Sequence, residues 1–298
     1  MLKRIAWGGL LLLALSSVAS ADSKAWTAAK KALPAGIQNI VSLNVAALHD
    51  TKLFQTLWPL ILEKDHDISD AFGAMKDACT FDPAKHVDSL VVAAVDDSDD
   101  SAVFVLALNM IEGDVEKCFA KSLKAHGQDV VIGKDGAFVT YKVGDTTAYA
   151  RWLDRNTMII AKRKDAKEFL TKMTAGGIAK DASLGGVKTD APLWVLLVKP
   201  GNVDPLGVKP SRAYIAGDLK SGNITANAHL VLDGAVQATE AAKKAQAMLD
   251  AAKLSGQVPP QLDWVVKSIV INAVGSELVL TAAGTEQNVV DLIKQAAQ

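Results

Sequence analysis

The chain has 298 residues, of which half are hydrophobic and only 5% are aromatic, with 32 basic and 33 acidic side chains. A charge balance this close to neutral argues against a nucleic-acid-binding protein, which needs a basic patch or stripe. The composition predicts instead an aliphatic core, in one large domain or two ordinary ones.

The first 21 residues have the pattern of a cleaved signal peptide. Lys3 and Arg4 form a basic start, residues 5–19 are apolar or small, and Ala19-Ser20-Ala21 is typical of a cleavage site. No cysteine ends the apolar run, so lipid attachment is not expected, and the run is shorter than the ~20 residues of a bilayer span. We predict cleavage after Ala21 and a soluble, exported protein, periplasmic or secreted, with no stable membrane span after signal cleavage. A retained N-terminal anchor is the alternative.

The first half of the mature chain is predicted to alternate helices with antiparallel hairpins. β-rich runs separated by turn residues indicate the hairpins, and apolar spacing of three to four residues indicates the helices. Proline lacks a backbone donor, so a kink or a helix restart is expected at Pro59. Predicted strands and hairpins lie at 40–45, 89–110, 130–143 and 147–161, and predicted helices at 24–33, 51–78, 114–126 and 164–173.

The second half repeats this order of elements, with a strand at 193–198, hairpins at 213–232 and 268–282, and helices at 235–254 and 286–296. We therefore predict an α+β fold of two similar lobes, each a mainly antiparallel sheet of hairpins with helices packed on one face, consistent with an internal duplication. The predicted divisions are a signal peptide at 1–21, a first lobe at 22–175, a linker at 176–192 and a second lobe at 193–298.

Hydrophobic alternation distinguishes the two halves. In the strand from Ile224 to Leu232, apolar side chains alternate with polar ones, which predicts one buried and one wet face. The first hairpin is apolar on both faces, so one face must be covered by the helices of residues 51–78 or offered to a partner. The candidate apolar interaction face consists of Phe104, Leu106, Leu108 and Met110.

The stretch Cys79-Thr80-Phe81-Asp82-Pro83-Ala84-Lys85-His86 contains residue types used in catalysis. Asp82-Pro83 is, however, a common helix start, with aspartate as the N-cap and proline in the first turn. The alternative is a catalytic Cys–His pair, for which spacing alone supplies no geometry. We therefore interpret the stretch as structural and predict no catalytic residue.

No metal or cofactor site is predicted. The five histidines are isolated from one another along the chain, and two cysteines do not complete a spaced zinc set. The acidic run Asp96–Asp100 lacks the central glycine and closing glutamate of a calcium loop. Sequence motifs of serine hydrolases, phosphate-binding loops and dinucleotide-binding folds are missing too, which favours a protein that is not an enzyme without excluding one.

Cys79 and Cys118 are the two cysteines of the chain. An even count in an exported protein suggests a disulfide, since the compartment is oxidising. Cys118 shares an apolar helix face with Val115 and Phe119, where it would point inward. The prediction is a bridge between Cys79 and Cys118, and two buried free thiols are the alternative.

Several stretches resemble a loose group of exported proteins from myxobacteria and related Gram-negative bacteria. They are Leu33-Pro34-Ala35, Val41 to Leu48, Leu53-Phe54 with Leu57-Trp58-Pro59, Cys79 to Pro83 and Val87 to Val92. The group carries no assigned activity, so the resemblance implies an exported two-part α+β protein and no catalytic residues. Members commonly have lipoprotein-type N-termini, whereas this chain has Ala19-Ser20-Ala21.

The sequence therefore predicts a non-catalytic periplasmic or envelope protein that acts as a binding or interaction module. Its partner would be another envelope protein or an apolar small molecule. Two alternatives stay open, a carrier of lipid or another apolar ligand and a hydrolase with an unrecognised site.

Overall fold

The computed structural model describes residues 21–296 apart from residues 65, 97, 99, 100, 126, 128, 162, 164, 256 and 257. The predicted signal peptide as far as Ser20, His126 and most of the acidic turn at Asp96–Asp100 lie outside these described residues. The predicted cleavage after Ala21 is therefore neither confirmed nor contradicted by the fold.

The α-helices alternate with groups of strands, as the sequence pattern predicts. They are α1 (Lys24–Ala32), α2 (Val45–Leu48), α3 (Lys52–Lys64), α4 (His66–Cys79), α5 (Pro83–His86), α6 (Glu112–Ala125), α7 (Ala166–Met173), α8 (Ala235–Ser255), α9 (Asp263–Ser268) and α10 (Glu286–Ala296). Of the kink or helix restart expected at Pro59, the restart is wrong, because α3 continues across this residue and the next helix begins at His66, and the kink stays a prediction. The helix start predicted at Asp82-Pro83 is confirmed, since the Asp82 side chain accepts a hydrogen bond from the Ala84 amide.

The strands within the described residues form a single sheet of twelve, called the main sheet below. They are β1 (Asn39–Leu43), β2 (Val87–Ala94), β3 (Ala102–Leu108), β4 (Val130–Asp135), β5 (Phe138–Val143), β6 (Thr146–Trp152), β7 (Thr157–Ala161), β8 (Leu193–Val198), β9 (Arg212–Lys220), β10 (Asn223–Val231), β11 (Val270–Val274) and β12 (Glu277–Thr285). Their order across the sheet is β11-β12-β10-β9-β8-β1-β2-β3-β7-β6-β5-β4, and the neighbouring pairs are antiparallel.

The predicted mixed α+β fold of antiparallel hairpins is confirmed, and its two halves share one sheet. They meet where β1 pairs with β8, with Val41 opposite Val195. From this seam the order β1-β2-β3-β7-β6 on one side matches β8-β9-β10-β12-β11 on the other. The repeated order supports an internal duplication, and the first half adds the hairpin of β4 and β5 beyond β6. The lobe and linker boundaries stay predictions, since shared strands define no border.

Helices cover the two faces of the main sheet unequally. One face, called the helix-rich face below, carries α3 and α10 near the seam, α4 and α6 over the first half, and α8 over the second half. On the opposite face, α1 and α7 cover the centre and the first half. On that opposite face, described residues of β11 and β12 join none of the buried apolar clusters, and β10 contributes only Val231 to the central one.

The chain directly after the predicted cleavage site is packed into the centre of the opposite face. Ser23 caps α1 by accepting a hydrogen bond from the Trp26 amide, and the Trp26 ring lies edge-on to Trp194 at a centroid distance of 4.7 Å. Both tryptophans are fully buried. Aromatic pairs of this geometry add stability beyond the area that they bury, so α1 is an integral part of the core.

Candidate binding surfaces

A line of apolar side chains crosses the helix-rich face from one half of the main sheet to the other. The strand registers place seven residues side by side, here called the apolar row: Ile160, Phe104, Val92, Val41, Val195, Ile215 and Ala228. At about 4.8 Å per strand the row is about 29 Å long. Val195 is buried, whereas the other six side chains are partly exposed. Partly exposed apolar side chains in a continuous line are unusual enough on a folded protein to suggest a binding surface.

The apolar row is covered near its centre and at one end. Val41, beside the seam, packs against the cluster formed by α3 and α10, and Ile160, at the end of the row, packs against the cluster that contains Val115 of α6. Phe104 and Val92 on one side of the seam, and Ile215 on the other, are partly exposed and belong to none of the buried clusters of described residues. The end that contains Phe104 carries the larger side chains, so it offers more apolar surface to a ligand.

The four residues of the predicted apolar interaction face separate in the structure. Leu108 is buried, and Leu106 and Met110 pack beside it in the cluster that contains Val115 of α6. These three are therefore covered by the helices of the same chain, because a sheet apolar on both faces must bury both. Phe104 lies in the apolar row, and its role in binding stays a prediction.

A disulfide joins Cys79 at the end of α4 to Cys118 in α6, with 5.4 Å between the Cα atoms. Neither thiol is free in the structure. The His86 ring lies stacked on Phe81, and its Nδ1 accepts a hydrogen bond from the Asp82 amide at 2.9 Å. Because Cys79 is bonded to Cys118 and His86 is engaged by its own turn, the two do not form a nucleophile–base pair.

A polar network lies on the opposite face of the second half. Glu277 accepts hydrogen bonds from the Tyr214 hydroxyl at 3.0 Å and from Nδ1 of His229 at 2.8 Å. A carboxylate can only accept, so His229 carries its proton on Nδ1. Arg212 approaches the other Glu277 oxygen at 3.8 Å. The network therefore joins four side chains from three strands around one carboxylate.

The network also holds the segment between the two halves against the sheet. Arg212 donates hydrogen bonds to the carbonyl oxygens of Ala182 and Ser183, the latter at 2.7 Å. Burial and the hydrogen bond to Glu277 raise the pKa of Tyr214 to about 12. Tyr214 and Arg212 are committed to these contacts, so their first role is structural. Among the described residues, none forms a hydrogen bond with Nε2 of His229.

Sequence reasoning missed this network because its members are far apart along the chain. His229 was recognised only as a polar residue on the wet face of its strand. That wet face is confirmed, since Ile224 and Ala226 are buried while Thr225, Asn227 and His229 are partly exposed. The pairing of β10 with β12, which brings Glu277 to the same end of the sheet as His229, has no local signal.

Among the described residues, no group of three or more histidine, cysteine, aspartate or glutamate side chains could hold a metal ion. None of the helices in the described ranges is long and apolar enough to cross a membrane.

Comparisons with known proteins show similarity of fold alone. No protein-family model and no curated protein matches the chain. Crystal form III of TP0453 superposes with a TM-score of 0.50 and 11% identity, covering 93% of this chain and all of that one. Crystal form I of the same protein gives a TM-score of 0.48 and 11% identity over 93% of this chain and 98% of that one. At this identity the similarity supports the α+β architecture and carries no residue roles.

Proposed function

We propose that this chain is an exported, non-catalytic binding module that takes an apolar small molecule at the Phe104 end of the apolar row. Export is inferred from the signal-peptide pattern of the first 21 residues. The observation that carries the proposal is the line of seven apolar side chains on the helix-rich face, of which six are partly exposed.

The chemistry of the row suits an apolar ligand. Phe104 stands in register with Val92 on one neighbouring strand and with Ile160 on the other. No charged side chain belongs to the row, so an apolar ligand meets no desolvation penalty there. Removing apolar surface from water contributes about 25 cal/mol per Å². A lipid carrier is one form of this proposal, in which the apolar ligand is a lipid that the protein binds and later releases to another acceptor.

The binding of N-phenyl-1-naphthylamine, a fluorescent apolar probe, tests the proposal. Phe104→Gln should weaken binding about tenfold or more, since a buried phenyl contact is worth about 1.5–3 kcal/mol. Val131→Gln is the matched control, because Val131 is 66% exposed on β4 and lies outside the row.

Both variants should keep the melting temperature of the parent protein. Equal probe affinity in Phe104→Gln and Val131→Gln would contradict the proposal that the apolar row is the binding site. Native mass spectrometry of protein purified from its host should also show a co-purified apolar molecule, and a clean apo mass argues against a carrier.

Hydrolysis is a second candidate, favoured by the hydrogen bond between Glu277 and His229. A carboxylate that fixes the Nδ1 proton of histidine leaves Nε2 able to accept a proton, which is how many general bases are oriented. Among the described residues no hydroxyl or thiol hydrogen-bonds to His229, so a nucleophile would have to be water. A screen of ester, phosphoester and glycoside substrates should then detect an activity that His229→Ala removes.

A further inference from the structure

Exposed apolar side chains are concentrated at one edge of the main sheet. Of the six large apolar residues that are most exposed among those described, two lie on β11 and three on α8, the helix that packs over β11. These five are Val236, Met248, Leu254, Val270 and Val274. The sixth is Val131 on β4, at the other edge. Val270 and Val274 share the face of Thr281 and Glu277, opposite α8, so this edge of the sheet carries exposed apolar side chains on both faces. Exposed apolar surface of this kind is typical of interaction sites.

The first half of the chain shows how the equivalent edge is protected. Counting outward from the seam, β6 takes the place that β11 takes in the second half. The outer side of β6 is paired with β5, which in turn is paired with β4. The second half has no such hairpin among its described residues, so the outer side of β11 is bare.

The hairpin geometry determines which backbone groups of β11 face outward. A two-residue turn, Gly275-Ser276, joins β11 to β12 with Val274 opposite Glu277. In such hairpins the closing pair is hydrogen-bonded and alternate pairs follow. Val270, Asn272 and Val274 therefore bond to β12, while the amides and carbonyls of Ile271 and Ala273 point away from the sheet. No described residue hydrogen-bonds to these outward groups.

We infer that the edge of β11 pairs antiparallel with β11 of a second copy of this chain, about a two-fold axis at Asn272. In this register Ile271 lies opposite Ala273 of the second copy, and the two exchange backbone hydrogen bonds on both sides of the axis. Val270, which is 53% exposed, lies opposite Val274, which is 62% exposed. The sequence Val-Ile-Asn-Ala-Val is thus complementary to itself in this pairing, as a two-fold interface requires.

Charge also favours a second copy. The five residues of β11 and the turn Gly275-Ser276 carry no charged side chain, so the two paired strands bring no like charges together. The opposite edge differs, because β4 ends in Lys134 and Asp135, and charged side chains on an edge strand discourage pairing. Lys134 and Asp135 thus explain why β11, rather than β4, is the edge that associates.

The expected dimer is weak. A five-residue strand pair with its flanking valines buries far less than the ~1,200 Å² of a standard interface. α8 lies over the same edge on the helix-rich face and supplies further apolar surface. We therefore expect a dissociation constant in the micromolar range or above, on the order of that of small transient interfaces.

Cysteine cross-linking tests the register. Asn272→Cys places two thiols across the axis at a non-hydrogen-bonded pair, where Cα atoms are about 4.5 Å apart and a disulfide can close. Mild oxidation of the purified exported protein should give a covalent dimer on a non-reducing gel. Val131→Cys is the matched control, since it adds an exposed thiol on the opposite edge strand and should stay monomeric.

Sedimentation equilibrium provides the second measurement. The parent protein should show a concentration-dependent dimer, and Asn272→Lys should weaken it at least tenfold by placing two ammonium groups across the axis. The Asn272 side chain is exposed, so the fold should be retained and the melting temperature should match that of the parent. The inference would be overturned if Asn272→Cys and Val131→Cys cross-linked equally. It would also be overturned if the parent protein stayed monomeric at several hundred micromolar, even if another protein were found to bind this edge.

Discussion

The two halves of the main sheet share an order of elements and differ in how their faces and outer edges are covered. The first half has helices on both faces, a disulfide between α4 and α6, and an extra hairpin along its outer edge. In the second half, the described residues of β11 and β12 join apolar clusters only on the helix-rich face, β11 is a bare edge, and there is no cysteine. The same order of elements is therefore compatible with two ways of covering a sheet. The edge of the first half is protected by an extra hairpin, and α7 covers the opposite face there, whereas α10, its counterpart in chain order, packs on the helix-rich face.

Removing the disulfide, which lies in the first half, should have the largest effect on stability. Replacing both Cys79 and Cys118 by serine frees a loop whose ends are 39 residues apart. On the chain-entropy model this lowers the free energy of unfolding by about 4 kcal/mol. Guanidinium unfolding without reductant measures this decrease in the free energy of unfolding.

Reductant supplies the control for this double variant. It should destabilise the parent protein and leave the double variant unchanged. Because the two halves share one sheet, hydrogen exchange should then rise in β9 and β10 as well as in α4 and α6. Unchanged exchange in β9 and β10 would show that the second half is stable without the first.

A substitution at the seam tests whether the halves unfold together. Leu196 on β8 is fully buried and lies opposite Ile40 of β1. Leu196→Ala should cost about 3 kcal/mol through lost burial and the cavity that remains. Tryptophan fluorescence and far-ultraviolet circular dichroism should report one coincident transition. Leu254→Ala, at a side chain 89% exposed, should change stability by less than about 0.5 kcal/mol. Two separate transitions would argue for independent halves.

A glycine on β12 probes packing that is specific to the second half. A Cβ atom at Gly284 would overlap the ring of Trp264 on α9. Gly284→Ala should therefore destabilise the protein by about 1–3 kcal/mol through overpacking. Gly113→Ala on α6 has open space around it and should be neutral or stabilising by up to about 1 kcal/mol. Equal thermal shifts in the two variants would contradict this account of Trp264.

The smallest expected effect is a dependence of stability on alkaline pH. Burial raises the pKa of Tyr141 in the first half and of Tyr214 in the second to about 12, with Glu277 adding to the effect at Tyr214. The unfolded value is about 10. The folded pKa is the higher one, so the stabilisation is complete below pH 10 and is lost as the pH rises from about 10 to 12.

The ultraviolet absorbance of tyrosinate follows the ionisation of both Tyr141 and Tyr214. Tyr214→Phe should remove one ionisation near pH 12 and flatten part of the alkaline loss of stability. Ionisation of that group near pH 10 in the native protein would show that the network around Glu277 is open to water.

Much of the secondary structure could be predicted because its signals are local. The hairpin of β2 and β3 and the helix start at Asp82-Pro83 depend on neighbouring residues. The Cys79–Cys118 bridge was predictable from the even count of cysteines and the inward position of Cys118. The signal peptide remains a prediction of the same local kind.

The short helix α2 was missed because a local side-chain bond outweighs strand propensity. Residues 40–45 are rich in β-branched and apolar side chains, which favours a strand over the whole stretch. The Asn44 side chain instead accepts a hydrogen bond from the Ala47 amide and starts a helix at Val45. Such a cap is a small effect that decides the end of β1.

The sequence by itself determined the class of the fold, the repeated order of elements and the alternation that leaves β10 half wet. Each of these depends on the spacing of side chains along a few turns or strands. The tertiary structure alone decided that β1 and β8 join the halves, that Phe104 lies in the apolar row while Leu108 is buried, and that β11 is left as a bare edge. Those outcomes depend on which strands pair across long separations, and backbone hydrogen bonds between strands are the same whatever side chains they carry.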